Sequence, residues 1–546
     1  MESQVPEPMH SPARKNAIFF VLDSMRYDVA SDPQAFHSIT PNIARLARAG
    51  FVRRVVTNAQ STQFVMPSLF TLTYPLDYGG YNTGILDRPK SFVEVLQDHG
   101  YRTCLFATCN QLGLSNGYQR GFDVVGTTSD YRTLLQQRIS RGISYWLELW
   151  QKREMSDVDF AAFLQRDFGA LLRSLVSALE EHDKSTWPRR LLRINRWIGD
   201  RAQDELKLLK ADPMVVAQKL KRIAPGVYWR FLGQRDAGSG HLMWARMLES
   251  VKWRSREWIG AQEAVPFLVL QHYQAIFGDI ANRVCAAIDG MRDRAWFLHL
   301  HVMDAHDCRA INRPLHMLGR LRFFARWLSA RRKGLTRRRF LYDSALMYAD
   351  ECFGKMISHL ERTGQLDRTV ILVTGDHGLQ YAESPRTKPP IGERMHYEDI
   401  EVPLILFGAG PQAAAGQGLL DSRAVTSSLL RALAVGPHPS FAAAHAFGPG
   451  LDVVVSESCG SGASDLARRD IYFAVTGMTH KMFAILAGEK LIVTKLYDLR
   501  TDPREICNVV ADRDSKSAIS TLVGRLFEER KELFWLRGLV APPVPT

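Results

Sequence analysis

A chain of 546 residues, 46% hydrophobic and 23% charged, is too apolar to be disordered and too long for one core, since single cores stop growing near ~250–300 residues. Its net charge of +13 admits a nucleic acid, an anionic membrane surface or an anionic substrate as partner, and no nucleic-acid-binding signature accompanies it, so no nucleic acid is expected. Seven cysteines with no C-x-x-C pair argue against a disulfide framework or a structural zinc site, and no stretch approaches the ~18 uninterrupted apolar residues of a membrane span; the expectation is a soluble, cytoplasmic protein, peripheral to a membrane at most.

Residues 1–15 hold three prolines and no apolar periodicity, and read as a flexible arm. Asn16–Leu22 is a continuous apolar run ending in Asp23, which predicts a buried strand. Pro41 to Gly50 carries Pro at the start and Gly after the end of a short helix, Ser91 to His99 repeats the pattern before Gly100, and Tyr101–Thr108 is a second buried strand. This alternation predicts an α/β fold, a parallel-dominated central sheet covered by helices, with residues 16–130 as its N-terminal part. Residues 131–294 are rich in Leu, Arg, Trp, Glu and Lys at helical spacing and read as a helical insertion. The α/β pattern returns over 295–450, with strands at Ala295–Met303, Thr369–Thr374 and Val402–Phe407 and a long helix at Leu341–Arg362. Residues 451–546 read as a small C-terminal subdomain of strands and one helix. Arg320 to Arg339 interleaves arginines with Phe323, Phe324 and Trp327. It is either a solvated helix packed by its apolar side or a contact for anionic lipid or a large anionic substrate.

The chemistry-bearing residues stand where predicted strands end. Asp23 follows the first, Asp304 and His306 follow Ala295–Met303, and Asp376 and His377 follow Thr369–Thr374. Ligands of open parallel sheets bind at the carboxyl ends of strands, and oxygen and nitrogen donors of this kind suit Zn, Mn, Mg or Ca. Any one of these residues alone reads equally well as a turn or cap residue; three segments delivering Asp and His to one edge are harder to dismiss. His299 and His301 read as satisfied strand residues.

Several segments resemble the sulfatase-like branch of the alkaline phosphatase superfamily. IFFVLDSMRYD (Ile18 to Asp28) resembles the opening strand and its metal-binding Asp, TPNIARLARAG (Thr40 to Gly50) the helix after it, and VTGDHG (Val373 to Gly378) the second metal-binding segment. HYEDIEVPLILFG (His396 to Gly408) and LYDLRTDPREICNVV (Leu496 to Val510) are similar to later elements of the same family. The nucleophile departs from the pattern. Sulfatases carry Cys-x-Pro-Ser-Arg with a formylglycine-forming first residue, and here the Cys and Arg positions are Val65 and Leu69. STQFVMPSLFT (Ser61 to Thr71) instead resembles the active-site segment of phosphoethanolamine transferases, whose nucleophilic Thr corresponds to Thr62. Ser61 is the other hydroxyl available, and either could be only a helix cap.

The resemblance implies one divalent ion (Ca, Mn, Zn or Mg) on Asp23, Thr62, Asp376 and His377, or two ions with Asp304, His306 and His396 serving the second. It also implies His306 and His396 as substrate-contacting catalytic histidines, while Lys388 and Arg394 are candidates for substrate anion contacts. The expected function is a hydrolase or transferase acting on a phosphate or sulfate ester of a sugar or lipid head group through Thr62. The alternative is a catalytically inactive sulfatase-fold binding protein.

Overall fold

The computed structural model describes residues 14–108, 116–127, 130–181, 189–236, 276–306, 337–380, 393–409, 416–441, 450–460 and 465–543, with single positions or pairs between them. Its main sheet is built from β1 (Asn16–Leu22), β2 (Phe51–Val56), β3 (Arg102–Ala107), β4 (Val124–Thr127), β5 (Trp296–Val302), β6 (Thr369–Thr374) and β7 (Glu401–Phe407). The order is β2-β7-β6-β1-β5-β3-β4, so β1 is the middle strand. β6, β1, β5, β3 and β4 run parallel, and only β7 opposes its neighbours. The parallel-dominated sheet read from the sequence is therefore present. β2 and β4, which the sequence reading did not identify, are the two edges. β2 breaks its apolar run with Arg53 and Arg54, whose side chains reach the Gly418 carbonyl at 2.7 Å and Glu401 at 3.3 Å.

Successive strand residues point to opposite faces, and β1 splits its apolar residues accordingly. Ala17, Phe19 and Val21 pack with the Thr62–Thr71, Phe92–Asp98 and Ser422–Ala432 helices. Ile18, Phe20 and Leu22 pack on the other side with the Pro41–Arg48, Phe277–Asp289 and Arg337–Arg362 helices. Ser91 and Glu94 form a reciprocal capping box that starts one of these helices. The long helix begins at Arg337, earlier than its apolar pattern suggested, because Arg339 is buried between Asp28 at 3.0 Å and Asp343 at 3.1 Å. This end of the basic stretch is thus committed to an internal ion pair rather than to lipid. Residues 320–322 and 324–336 of the interleaved segment lie outside the described residues, and Phe323 between them is buried. No helix among the described residues is long and apolar enough to cross a membrane.

Residues 131–232 form a helical unit with its own core, in which Phe160, Leu164, Phe168, Leu172 and Tyr228 are buried. Its polar centre is Glu205, fully buried, which accepts from Lys219 Nζ at 2.6 Å, Tyr228 Oη at 2.7 Å and the Gly233 amide at 2.6 Å. Burial pushes the Lys219 ammonium below its usual range despite Glu205. The helix Phe277–Asp289, read from the sequence as part of the insertion, packs instead on the main sheet, with Phe277 and Phe20 rings 5.4 Å apart. A second, antiparallel sheet orders β11 (Lys490–Asp498), β10 (His480–Ala487), β9 (Ile471–Gly477) and β8 (Val453–Ser458). Helices Ser515–Glu529 and Lys531–Leu536 follow it.

His299 is a core residue, but not a satisfied one. Its ring packs edge-on against Phe19 and Phe70 at 5.1 Å each. Neither ring nitrogen has a hydrogen-bond partner among the described residues. Burial, and secondarily His301, push its pKa well below 6.5. The unfolded chain therefore takes up a proton near that pH while the folded chain does not. This share of stability is complete above pH 6.5 and falls as the pH drops below it, by up to about 1.4 kcal/mol per pH unit.

Two outcomes are expected. Glu205→Ala strands a buried ammonium and should lower stability by about 3–5 kcal/mol in equilibrium denaturation; a loss under about 1 kcal/mol contradicts the structural role. His299→Phe should flatten the decline in stability between neutral and mildly acidic pH, and an unchanged slope would show that His299 titrates normally in the fold.

Candidate active site

The central three strands of the main sheet end side by side, and each delivers a polar residue to the same edge. Asp23 follows β1 directly, its amide extending the ladder to the Val302 carbonyl at 2.9 Å. Ser24 then turns with φ of 61°, a left-handed conformation that is uncommon for serine. Its amide donates to Asp376 Oδ1 at 3.1 Å and its hydroxyl to Asp23 Oδ1 at 2.9 Å. Tyr342 Oη holds the turn from behind, donating to the Ser24 carbonyl at 2.9 Å and accepting from the Arg26 amide at 2.9 Å. After β6, the glycines flanking Asp376-His377 allow close backbone approach. A Cβ on Gly375 would stand 2.5 Å from the Met25 carbonyl oxygen, and one on Gly378 2.1 Å from that of Glu398.

Thr62 is the first residue of the Thr62–Thr71 helix. Ser61, the N-cap by position, makes no capping bond with its side chain. The Thr62 hydroxyl donates to Asp23 Oδ2 at 3.0 Å and lies 3.3 Å from His377 Nε2. Val65 and Leu69, the positions of the formylglycine-forming pattern, are buried in the same helix.

His377 Nδ1 donates to the Gly378 carbonyl at 2.6 Å. A carbonyl only accepts, so Nδ1 carries the proton of this bond, and in the neutral ring Nε2 offers a lone pair. Nε2 faces Asp23 Oδ1 at 3.6 Å and Asp376 Oδ2 at 3.7 Å. Two carboxylates buried around one imidazole call for a positive charge among them, on the ring or on a bound cation. Asp376 Oδ2 is buried and has no hydrogen-bond partner among the described residues. Burial pushes the Asp23 carboxyl up, but His306, the contact with His301, and His377 outweigh it and hold it well below the usual carboxylate range. Carboxylate oxygen, imidazole nitrogen and hydroxyl oxygen are donors for a divalent metal ion, and these residues fit one.

The donors fall into two groups whose members lie within 4.8 Å of one another: Asp23, His306 and His377, and Asp23, His301 and Asp376. His306 is half-buried, its ring perpendicular to that of His377 with centroids 6.0 Å apart. Asp304 is in neither group. Its carboxylate turns to the start of the Phe277–Asp289 helix, where the Phe277 amide donates to Oδ2 at 3.1 Å. His396 is in neither group as well. It is buried against the C-terminal sheet, with Nδ1 2.7 Å from Glu505 Oε2, Nε2 3.5 Å from Lys495 Nζ, and its ring 4.7 Å from that of Phe483. Glu505 also accepts from Lys481 at 2.7 Å and from the Tyr397 amide at 3.1 Å. Burial alone would push the Glu505 carboxyl up; Lys481 and His396 hold it below its usual range. Arg394 is half-buried in the same loop, close enough to Asp399 to offset part of the burial that lowers its pKa. Lys388 lies outside the described residues.

The sequence reading took His301 for a satisfied strand residue, and it did not single out Glu505, Lys481 and Lys495 at all. His301 sits in an apolar strand, where a histidine reads as filler. Glu505 and the lysines lie ~100 residues from His396, with no spacing rule to join them.

The family model described as Sulfatase matches residues 15–166 and 249–435, more than half of the chain. The multifunctional alkaline phosphatase superfamily protein PehA of Trinickia caryophylli is 34% identical over 79 residues, a match spanning 14% of this chain and 15% of that protein's length. The phosphonate monoester hydrolase of Agrobacterium radiobacter superposes with a TM-score of 0.53 at 14% identity, over 95% of this chain and 96% of that one. A candidate sulfatase of Bacteroides fragilis superposes with a TM-score of 0.54 at 12% identity, over 98% and 99%. At such identities the two superpositions speak to fold.

Replacing Asp376 by Asn and His377 by Ala together should abolish tight binding of a divalent ion and leave the circular dichroism spectrum unchanged. A full metal complement in the purified double variant, by elemental analysis, contradicts the assignment.

Proposed function

The chain belongs to the sulfatase family, and on that premise we propose that it is a metal-dependent hydrolase or transferase acting on a phosphate or sulfate ester through Thr62. The observation that carries this reading is the position of one oxygen. Thr62 Oγ1 stands 3.0 Å from Asp23 Oδ2 and 3.3 Å from His377 Nε2, at the first residue of a helix. The amides of a helix N-terminus favour an anion there. A divalent ion, when bound by Asp23, Asp376 and His377, lowers the pKa of a nearby hydroxyl and offsets the charge of the ester.

The residues of the chain then divide the work. Asp23 accepts from the Thr62 hydroxyl and so fixes the direction of its free lone pairs. Thr62 passes its hydroxyl proton to Asp23 Oδ2, and Oγ1 forms a bond to phosphorus or sulfur as the bond to the leaving oxygen breaks. His306, on the half-buried side of the cluster, is suited to give that oxygen a proton. His396, oriented by Glu505 and with Lys495 beside Nε2, supports a role in holding the transferred anionic group. Release of the group from Thr62 to water makes the protein a hydrolase, and release to an alcohol makes it a transferase.

Val65 and Leu69 leave no route to formylglycine, which favours a phosphorus ester over a sulfate. The three imidazoles near the carboxylates, of His301, His306 and His377, favour Zn over Ca, Mg and Mn, which prefer oxygen. The net charge of +13 supports an anionic substrate, a phosphorylated or sulfated sugar or lipid head group.

Thr62→Ala should lower turnover of an aryl phosphate ester by about 10³-fold or more while the ion remains bound. Thr62→Ser, which keeps the oxygen, should retain more activity than the alanine variant. Near wild-type turnover by Thr62→Ala would point to Ser61 or to water as the attacking group.

A further inference from the structure

We infer that His301 is a protein ligand of the divalent ion, giving an imidazole nitrogen beside the carboxylates of Asp23 and Asp376. The inference deepens the proposed function, since it rests on a cation being held at this edge of the sheet. Its basis is the geometry around one ring. His301 is the second residue from the end of β5 and pairs in register with Val21 of β1 and Ala107 of β3. It is completely buried, as are Asp23 and Asp376. Its Nε2 lies 3.2 Å from Asp23 Oδ2 and 4.0 Å from Asp376 Oδ2.

Two arrangements could explain those distances. In one, Nε2 carries a proton and donates it to Asp23. Asp376 Oδ2, buried and with no hydrogen-bond partner among the described residues, then stays unpaired, because no hydrogen bond spans 4.0 Å. In the other, an ion stands among the three donors and satisfies all of them. With Thr62 and His377 also bound, His301 makes the shell five-coordinate, and donors at ~2.0–2.1 Å in such a shell lie roughly 2.9–4.1 Å from one another. The separations here fall in that range: 3.2 and 4.0 Å from His301, 3.7 Å from Asp376 to His377, and 3.0 Å from Asp23 to Thr62. His301 Nδ1, the other ring nitrogen, is buried without a hydrogen-bond partner among the described residues. His299, on the same face and two residues further from the edge, has only aromatic neighbours in ring contact and serves as the contrast.

The test loads the full-length protein with Co(II) and counts imidazole ligands by X-ray absorption, alongside the metal dissociation constant. His301→Ala and His301→Gln should each lose one imidazole, as should His377→Ala. Affinity in both His301 variants should fall by about 10²-fold or more, beyond the ~10–100-fold typical of a residue that only orients a ligand. Glutamine approximates the length and polarity of the ring, so it keeps the comparison open if alanine disturbs the strand. An unchanged imidazole count in both His301 variants, with affinity restored by glutamine, would reduce His301 to a hydrogen-bond donor to Asp23 and overturn the inference. Loss of one imidazole together with no turnover of any ester would sustain it and overturn the proposed function. A wild-type protein that binds no ion would overturn both.

Discussion

Two carboxylates, Asp23 and Asp376, are completely buried at the middle of one sheet edge, and much of the surrounding structure exists to hold them there. Burying one ionised carboxylate costs several kcal/mol unless it is paired, and burying two side by side costs more. The hydrogen bonds around them orient the carboxylates but leave one oxygen of Asp376 without a partner among the described residues. The backbone contributes as well. Ser24 occupies a left-handed conformation, and Gly375 and Gly378 press against Met25 and Glu398 where no side chain would fit. A scaffold that had lost its chemistry would have no reason to keep such costs.

The site also gathers parts of the chain that are remote in sequence. β1, β5 and β6 supply the carboxylates and imidazoles, and the Thr62–Thr71 helix supplies the hydroxyl. The C-terminal sheet reaches His396 through Glu505, itself fixed by Lys481. The helical unit reaches the neighbour of Thr62, with Arg141 donating to Gln63 Oε1 at 3.3 Å. The helix bearing Thr62 packs against both the main sheet and the Ser422–Ala432 helix. There Thr426 donates to the Leu69 carbonyl at 2.7 Å.

How much of this was legible in the sequence follows from where each residue sits. β1, β3, β5 and β6 are buried on both faces and announce themselves as continuous apolar runs. Edge strands β2 and β4 do not, since an edge tolerates arginine or is only four residues long. Asp23, Asp376 and His377 could be read because each directly follows such a run. Thr62 required the resemblance of its whole segment, and its approach to Asp23 is a tertiary contact that no local pattern encodes. Asp304 looked like His306's companion, yet two positions along a turn are enough to point it at the Phe277 amide instead. His301 was hidden by its own strand: period-two alternation places it on an inner face with His299, and only the sheet register tells which of the two reaches the carboxylates.

The central claim is that Thr62, Asp23, Asp376 and His377 share one divalent ion. Diffraction from crystals grown with Zn or Mn, recorded at the absorption edge of that metal, tests it most directly. The account predicts an anomalous peak within about 2.0–2.3 Å of a donor atom from each of the four residues. A featureless map at this edge of the sheet, or a peak whose ligands exclude both Asp23 and Asp376, would contradict it.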